Sequence, residues 1–259
     1  MIERVEWEQL PAGLRVSVEV RTGAVVAAEL VPQGLNCTVA LALTTQRGPL
    51  FFKGVREDDT EGVAALRWEE QLNPTVRGVS PTIRHTFRSD GWYCAAFDYI
   101  EGRNADLGPG SADLDTVALT LHRMHQLRLP DLTIPPLADR FSGHLLPGEE
   151  QALAGGHLLH TDTNPHNIMI SGGNAYVVDW AMPAVGPAWV DAAYTAVRLM
   201  EYGQSPATAL AWLNTIPSWR RADPKAVAAF TSATCRRWTA TVGEKSAAAS
   251  NTRIQHLTA

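Results

Sequence analysis

His160-Thr161-Asp162-Thr163-Asn164-Pro165-His166-Asn167 is a polar stretch set between apolar runs. Leu158-Leu159 leads into it and Ile168-Met169-Ile170 leads out; Tyr176-Val177-Val178 then runs into Asp179-Trp180. The pattern predicts strand, tight polar loop, strand, turn, strand and then an acid. Phosphoryl transfer to a hydroxyl needs an oriented acceptor, somewhere for its proton to go, and hard oxygen ligands for Mg²⁺. Asp162 offers a carboxylate to an acceptor. Asn167, five residues on, reaches back over the loop toward a metal, and Asp179 adds a second carboxylate. Pro165 stiffens the loop, and His160 is expected to brace it rather than act as a base.

Upstream, residues 14–20, 24–31, 39–45 and 50–55 read as strands separated by turn signals at Gly23, Pro32-Gln33-Gly34 and Arg47-Gly48-Pro49. Residues 82–87 and 92–100 add two more runs around Ser89-Asp90-Gly91. Of these six runs, five are expected in one antiparallel sheet, which with one main helix makes the first hundred residues an α+β lobe. Lys53 sits in a strand among Phe51, Phe52 and Val55. Buried there, its ammonium needs an acid or a phosphate; an edge lysine facing water is the alternative. A helix over residues 60–72, capped by Thr60 and ended at Asn73-Pro74, brings Glu69 and Glu70. Glu69 is preferred as the partner because it falls three residues after Leu66.

After residue 100 the pattern turns helical. Ser111 is expected to cap a helix whose face carries Leu114, Val117, Leu121 and Met124, with His122 and His125 as ordinary surface and core positions. Further helices are expected over residues 189–202, 207–213 (capped by Ser205-Pro206) and 224–238, and residues 246–251 read as a loosely held tail. Residues 192–259 hold eight Lys and Arg against three Asp and Glu, a poor trap for a polycation. Trp180, Trp189, Trp212, Trp219 and Trp238 can stack on an acceptor, although core packing is the commoner use.

The whole-chain balance excludes several classes. A net charge of −5 argues against non-specific nucleic-acid binding. Three scattered cysteines, Cys37, Cys94 and Cys235, suggest neither a disulfide framework nor a zinc knuckle. No run of about 18 apolar residues spans a membrane, and the acidic start lacks the apolar centre of a signal peptide; the expectation is a cytoplasmic protein. His157, His160, Asp162 and His166 lack the His-Glu-x-x-His spacing of a zinc hydrolase, and no Gly-x-Ser-x-Gly elbow occurs.

The central stretch resembles the His-Gly-Asp-x-x-x-x-Asn loop of the aminoglycoside phosphotransferase and choline-kinase-like family, with Thr161 where that family has Gly. The later Asp-Trp, here Asp179-Trp180, and the Gly-Pro-x-x-x-Asp, here Gly186 to Asp191, are similar too. The resemblance covers roughly residues 25–200. It implies a bilobal protein-kinase-like fold: a nucleotide-binding lobe over residues 1–100, and a mainly helical catalytic and acceptor lobe over residues 101–259. ATP (or GTP) with Mg²⁺ would lie between them.

By the same resemblance Asp162 is the catalytic base or acceptor-orienting group, and Asn167 and Asp179 are Mg²⁺ ligands. Lys53 binds phosphate and Glu69 pairs with it. Asp98, Tyr99 and Ile100 form the hinge that meets adenine, and Asn36 and Thr38 lie in the loop over the phosphates. His160 and Asp191 are structural. The implied activity is O-phosphorylation of a small hydroxylated molecule (an antibiotic, a nucleoside, a sugar or another metabolite) by a monomer or homodimer. A nucleotide-binding pseudokinase is the alternative. A protein kinase is disfavoured because no activation segment or Ala-Pro-Glu follows Asp179.

Overall fold

The structure, a computed structural model, describes residues 4–31 and 37–258. The chain divides into two compact units. The first comprises residues 1–103 together with residues 169–172 and 176–182, so Asp179 lies in the same unit as Lys53.

The first unit begins with helix α1 (Ala12–Thr22), where the period-two run over residues 14–20 predicts a strand. Leu14, Val16, Val18 and Val20 alternate with polar residues, but Leu14, Val18 and Thr22 also recur every four residues. The helical period wins. Leu14 and Val18 are fully buried, whereas Val16 and Val20 are 58% and 69% exposed. Gly23, at φ 85°, ends the helix in a backbone conformation that suits glycine.

Five strands follow: β1 (Val25–Leu30), β2 (Val39–Thr45), β3 (Gly48–Arg56), β4 (Ile83–Ser89) and β5 (Trp92–Asp98). They form one antiparallel sheet in the order β1-β2-β3-β5-β4. Successive side chains point to opposite faces. Val39, Leu41, Leu43, Phe52, Trp92, Cys94 and Ala96 pack with Leu14 and Val18 of α1. Ala40, Val55, Tyr93, Ala95 and Phe97 pack with Leu66 of helix α2 (Thr60–Leu72). Lys53 lies in register with Ala40 and Ala95, which sends its side chain to the α2 face. The cap of α2 is Asp59 rather than Thr60, its carboxylate accepting from Gly62 N at 2.9 Å.

The chain enters the second unit at β6 (Arg103–Asn104). Helix α3 (Leu114–Met124) starts three residues beyond Ser111; Ser111 instead accepts from Asp113 N at 3.1 Å in the turn before the helix. A short helix α4 (Glu149–Ala152) precedes β7 (His157–Leu159). The hairpin of β8 (Ile168–Ser171) and β9 (Asn174–Val177) returns the chain to the first unit, and β10 (Ala184–Gly186) pairs antiparallel with β7. A Cβ on Gly186 would lie 2.8 Å from Leu159 Cδ1 and 2.9 Å from Leu137 Cβ, so this close packing needs glycine.

Helices α5 (Val190–Glu201), α6 (Pro206–Leu213), α7 (Pro224–Val242) and α8 (Glu244–Gln255) complete the unit. Residues 246–251, expected as a loose tail, lie inside α8. Ala247 is fully buried and Ile254 3% exposed, and these apolar anchors hold a helix of otherwise small polar residues. Among the described residues no helix is long and apolar enough to cross a membrane, and Cys37, Cys94 and Cys235 are free thiols.

His125, just past α3, is buried, with Nδ1 3.0 Å from Ser218 Oγ. Burial, followed by His157 and His122, lowers its pKa from 6.5 to about 4. A histidine held neutral in the folded state binds fewer protons than the unfolded chain at pH values between these two. Its contribution is therefore complete above pH 6.5 and is lost as pH falls toward 4. His125→Gln is expected to flatten the stability–pH curve across that window. The difference against the parent should reach about 2–3 kcal/mol. Urea unfolding at several pH values checks this, and parallel curves for the two proteins would refute it.

Candidate active site

In the first unit, the β3 ammonium of Lys53 sits 2.7 Å from Glu69 Oε1 and 2.8 Å from Asp179 Oδ1. All three side chains are about nine-tenths buried or nearly so, at 10%, 7% and 12% exposure. Burial disfavours the Lys53 ammonium, but Asp179 and Glu69 outweigh it and its pKa is raised. Burial also pushes the Glu69 carboxyl up, to about 7, against the pull of Lys53. Asp179 adopts φ 67°, a left-handed conformation that Asp tolerates better than most residues.

Glu70, the neighbour not preferred, does something else. It accepts hydrogen bonds from Tyr93 OH and, at 2.6 Å, from Thr86 Oγ1, which ties α2 to β4 and β5. Asp98 is engaged on both sides: its carboxylate pairs with Arg84 at 2.5 Å and its N–H donates to Thr82 O at 2.8 Å. Tyr99 and Ile100 follow the end of β5, with Tyr99 41% exposed. Thr38 lies just before β2, its carbonyl accepting from Val5 N at 3.2 Å. Asn36 lies outside the described residues.

In the second unit, the loop after β7 is built on Asp191. This fully buried carboxylate, in the first turn of α5, accepts from His160 N at 2.9 Å and Thr161 N at 2.8 Å. Burial pushes its pKa up, and His160 and the two N–H groups pull it back. Thr195 Oγ1 lies 2.8 Å from both Thr163 Oγ1 and the Asp191 carbonyl, binding the loop to α5 again. Asn164 accepts from His166 N at 2.9 Å and caps a single helical turn, Pro165–Asn167.

That scaffold presents Asp162. Its Oδ1 accepts from Asn164 Nδ2 at 2.9 Å, its Oδ2 accepts from Asn167 Nδ2 at 3.1 Å, and its N–H donates to His160 Nδ1 at 3.3 Å. A carboxylate clamped through both oxygens is an aimed hydrogen-bond acceptor. Asn164 was missed by the sequence reasoning, although its place two residues after Asp162 was available as a signal. Arg198 was also missed; its Nη2 stands 4.0 Å from Asp162 Oδ1. Nothing in a linear reading links residues so far apart.

Thr161 has φ 68°, where a β-branched side chain costs about 1–2 kcal/mol. Both backbone hydrogen bonds to Asp191 hold it there. Thr161→Gly would release that strain while losing the buried side chain, whose two carbons are worth about 0.8 kcal/mol each, and adding glycine's chain entropy of about 0.5–1 kcal/mol. The expected outcome is a loss smaller than that of Thr163→Gly by about the strain released. Thr163→Gly, equally buried but without a positive φ, is expected to cost about 2–3 kcal/mol. Equal losses in denaturant unfolding would contradict the strain argument.

Among the described residues no group of three or more His, Cys, Asp and Glu converges to hold a metal, so His157, His160, Asp162 and His166 form no zinc site. Asn167, in the second unit, and Asp179, in the first, each carry a hard oxygen of the kind that Mg²⁺ takes. The Asn167 amide nitrogen donates to both the carbonyl and the carboxylate of Asp162, at 3.1 Å each. When bound, Mg²⁺ would neutralise phosphate charge.

A mixed α+β chain with this five-strand sheet and these helices has the fold of the kinase-like small-molecule phosphotransferases. Residues 155–224, which hold the Asp162 loop, Asp179 and Asp191, match APH, the phosphotransferase enzyme family. No curated protein sequence matches the chain.

Among solved structures, choline kinase LicA from Streptococcus pneumoniae superimposes with a TM-score of 0.60 at 14% identity, over 94% of this chain and 95% of that one. LicA in complex with AMP gives 0.61 at 13% identity, over 95% and 97%. Macrolide 2'-phosphotransferase MphH from Brachybacterium faecium gives 0.53 at 15% identity, over 93% and 96%.

Proposed function

We propose that this protein is an ATP- and Mg²⁺-dependent O-phosphotransferase acting on a hydroxyl of a small molecule. The observation that carries the reading is the buried Lys53 ammonium held between Glu69 and Asp179. A lysine so placed, with one carboxylate to orient it and another able to turn to a metal, suits the α- and β-phosphates of a nucleotide. Lys53 binds those phosphates, Glu69 aims it, and Asn167 and Asp179 hold the cation. Tyr99 and Ile100 offer backbone groups to the base.

Asp162 orients the acceptor hydroxyl. The hydroxyl oxygen attacks the γ-phosphorus, and the bond to the β–γ bridging oxygen breaks. ADP leaves with that electron pair, and the hydroxyl proton passes to Asp162 or to the transferred phosphate. In a loose transition state the proton leaves late, which suits a carboxylate already accepting two side-chain hydrogen bonds.

A second reading, a nucleotide-binding protein without transfer, draws on the left-handed backbone of Thr161. The two separate experimentally. Purified protein incubated with γ-labelled ATP, Mg²⁺ and a panel of antibiotics, nucleosides and sugars should transfer label to at least one class. ATP binding with no labelled product across the panel would favour the second reading.

A further inference from the structure

The wall beside Asp162 carries more charge chemistry than hydroxyl phosphorylation needs. Arg198, on α5, stands 4.0 Å from Asp162 Oδ1 and pairs with Glu201 at 2.5 Å. Arg253, on α8, reaches the other oxygen of Glu201 at 3.7 Å. One carboxylate is thus shared by two guanidinium groups. Each of the two acids here, Asp162 and Glu201, already has an arginine beside it, so no uncompensated acid remains in this cluster for an ammonium group. Arg198 is still 41% exposed, and a guanidinium has five donors, so it keeps room and hydrogen-bonding capacity for a ligand. The cluster itself balances, two acids to two arginines, whereas residues 192–259 as a whole are basic: eight Lys and Arg, Arg198 and Arg253 among them, against three acids.

We infer that the acceptor is a small hydroxylated anion. Its hydroxyl meets Asp162, and its carboxylate or phosphate group pairs with Arg198. This rests on the phosphotransferase reading of Asp162. Hydrogen bonds of both kinds are about 2.7–2.9 Å long, so two groups 4.0 Å apart are bridged by one compact molecule. A planar fork suits a carboxylate or phosphate better than a lysine would. Arg198 is then the residue that sets specificity, and a polycationic acceptor is rejected by like charge next to the reacting hydroxyl.

The test uses two matched series: D-gluconate, sorbitol and glucamine, and D-glycerate, glycerol and 3-amino-1,2-propanediol. Within each series the charge runs negative, neutral, positive on one carbon skeleton. Binding is read by calorimetry with the full chain in the presence of a non-hydrolysable ATP analogue and Mg²⁺, and transfer is read separately with labelled ATP.

The anion of at least one series should bind at least tenfold tighter than its neutral and cationic partners. Arg198→Ala should weaken that anion about ten- to a hundredfold while changing the neutral compound less than threefold. Arg198→Lys should recover part of the loss, and Arg198→Glu should reverse the order in favour of the amine. Binding of neither anion, or an Arg198→Ala loss equal for anion and neutral compound, would overturn the inference. Anion binding that depends on Arg198 without any labelled product would uphold the site and instead sink the phosphotransferase reading, so the two failures are distinguishable.

Discussion

Asp162→Ala is expected to lower the transfer rate by about a hundred- to ten-thousandfold, the range for losing a positioned proton-handling group. ATP affinity should change less than about threefold. The separation follows from the proposed roles, the acceptor for Asp162 and the nucleotide for the Lys53 cluster. Asp162 belongs to the second unit, on a loop anchored by Asp191, whereas the Lys53 cluster belongs to the first. Its carboxylate is gripped by Asn164 and Asn167 and remains 30% exposed. Asp162→Asn is the finer probe. It keeps the shape and one hydrogen-bonding oxygen but removes the charge, so an orienting role predicts a smaller loss than that of Ala. Single-turnover transfer combined with nucleotide titration checks both variants. Equal losses in Ala and Asn with unchanged ATP binding would assign Asp162 the base role. An undiminished rate would remove it from the mechanism.

Lys53→Met should have the largest combined effect. Removing the cation leaves Glu69 and Asp179 buried at close quarters with no compensating charge, a change that costs about 3–5 kcal/mol in comparable buried pairs. On the role proposed for Lys53, nucleotide affinity should fall with it.

The effect has a pH signature. Burial already raises the Glu69 carboxyl to about 7, and Lys53 is the group that pulls it down. In the variant the folded-state pKa lies further above the unfolded value. The folded state then gains protons more readily, and the deficit is greatest at high pH and shrinks as pH falls through that raised value. Denaturant midpoints of parent and Lys53→Met from pH 8 to pH 5 should therefore converge toward the acid end. A constant gap would mean that Glu69 stays ionised without its partner. Glu69→Gln, which leaves the Lys53–Asp179 contact in place, should cost less stability than Lys53→Met.

Much of the fold was legible because strands and helices bury different periods. β2, β3, α2, β4, β5 and α5 to α7 all follow from alternation or helical spacing with ordinary turn and cap residues. α1 was not, since a run of leucine and valines at every second position also places Leu14 and Val18 four apart. Only packing against the sheet chooses between the two. α8 escaped for the opposite reason. Its residues are mostly small or polar, and the burial of two of its own apolar residues, Ala247 and Ile254, decides the matter.

The chemistry divides the same way. The sequence by itself carried the identity and order of Lys53, Glu69, Asp162, Asn167, Asp179 and Asp191, and the resemblance of the loop to a known family gave them their expected roles. Only the tertiary structure decided which partners they take. It put Lys53 between two carboxylates rather than one, turned Glu70 to Tyr93 and Thr86, bent Thr161 into the left-handed region against Asp191, and set Arg198 beside Asp162. Such contacts join residues distant along the chain, and they are set by which faces the sheet and helices bury, a choice made by packing.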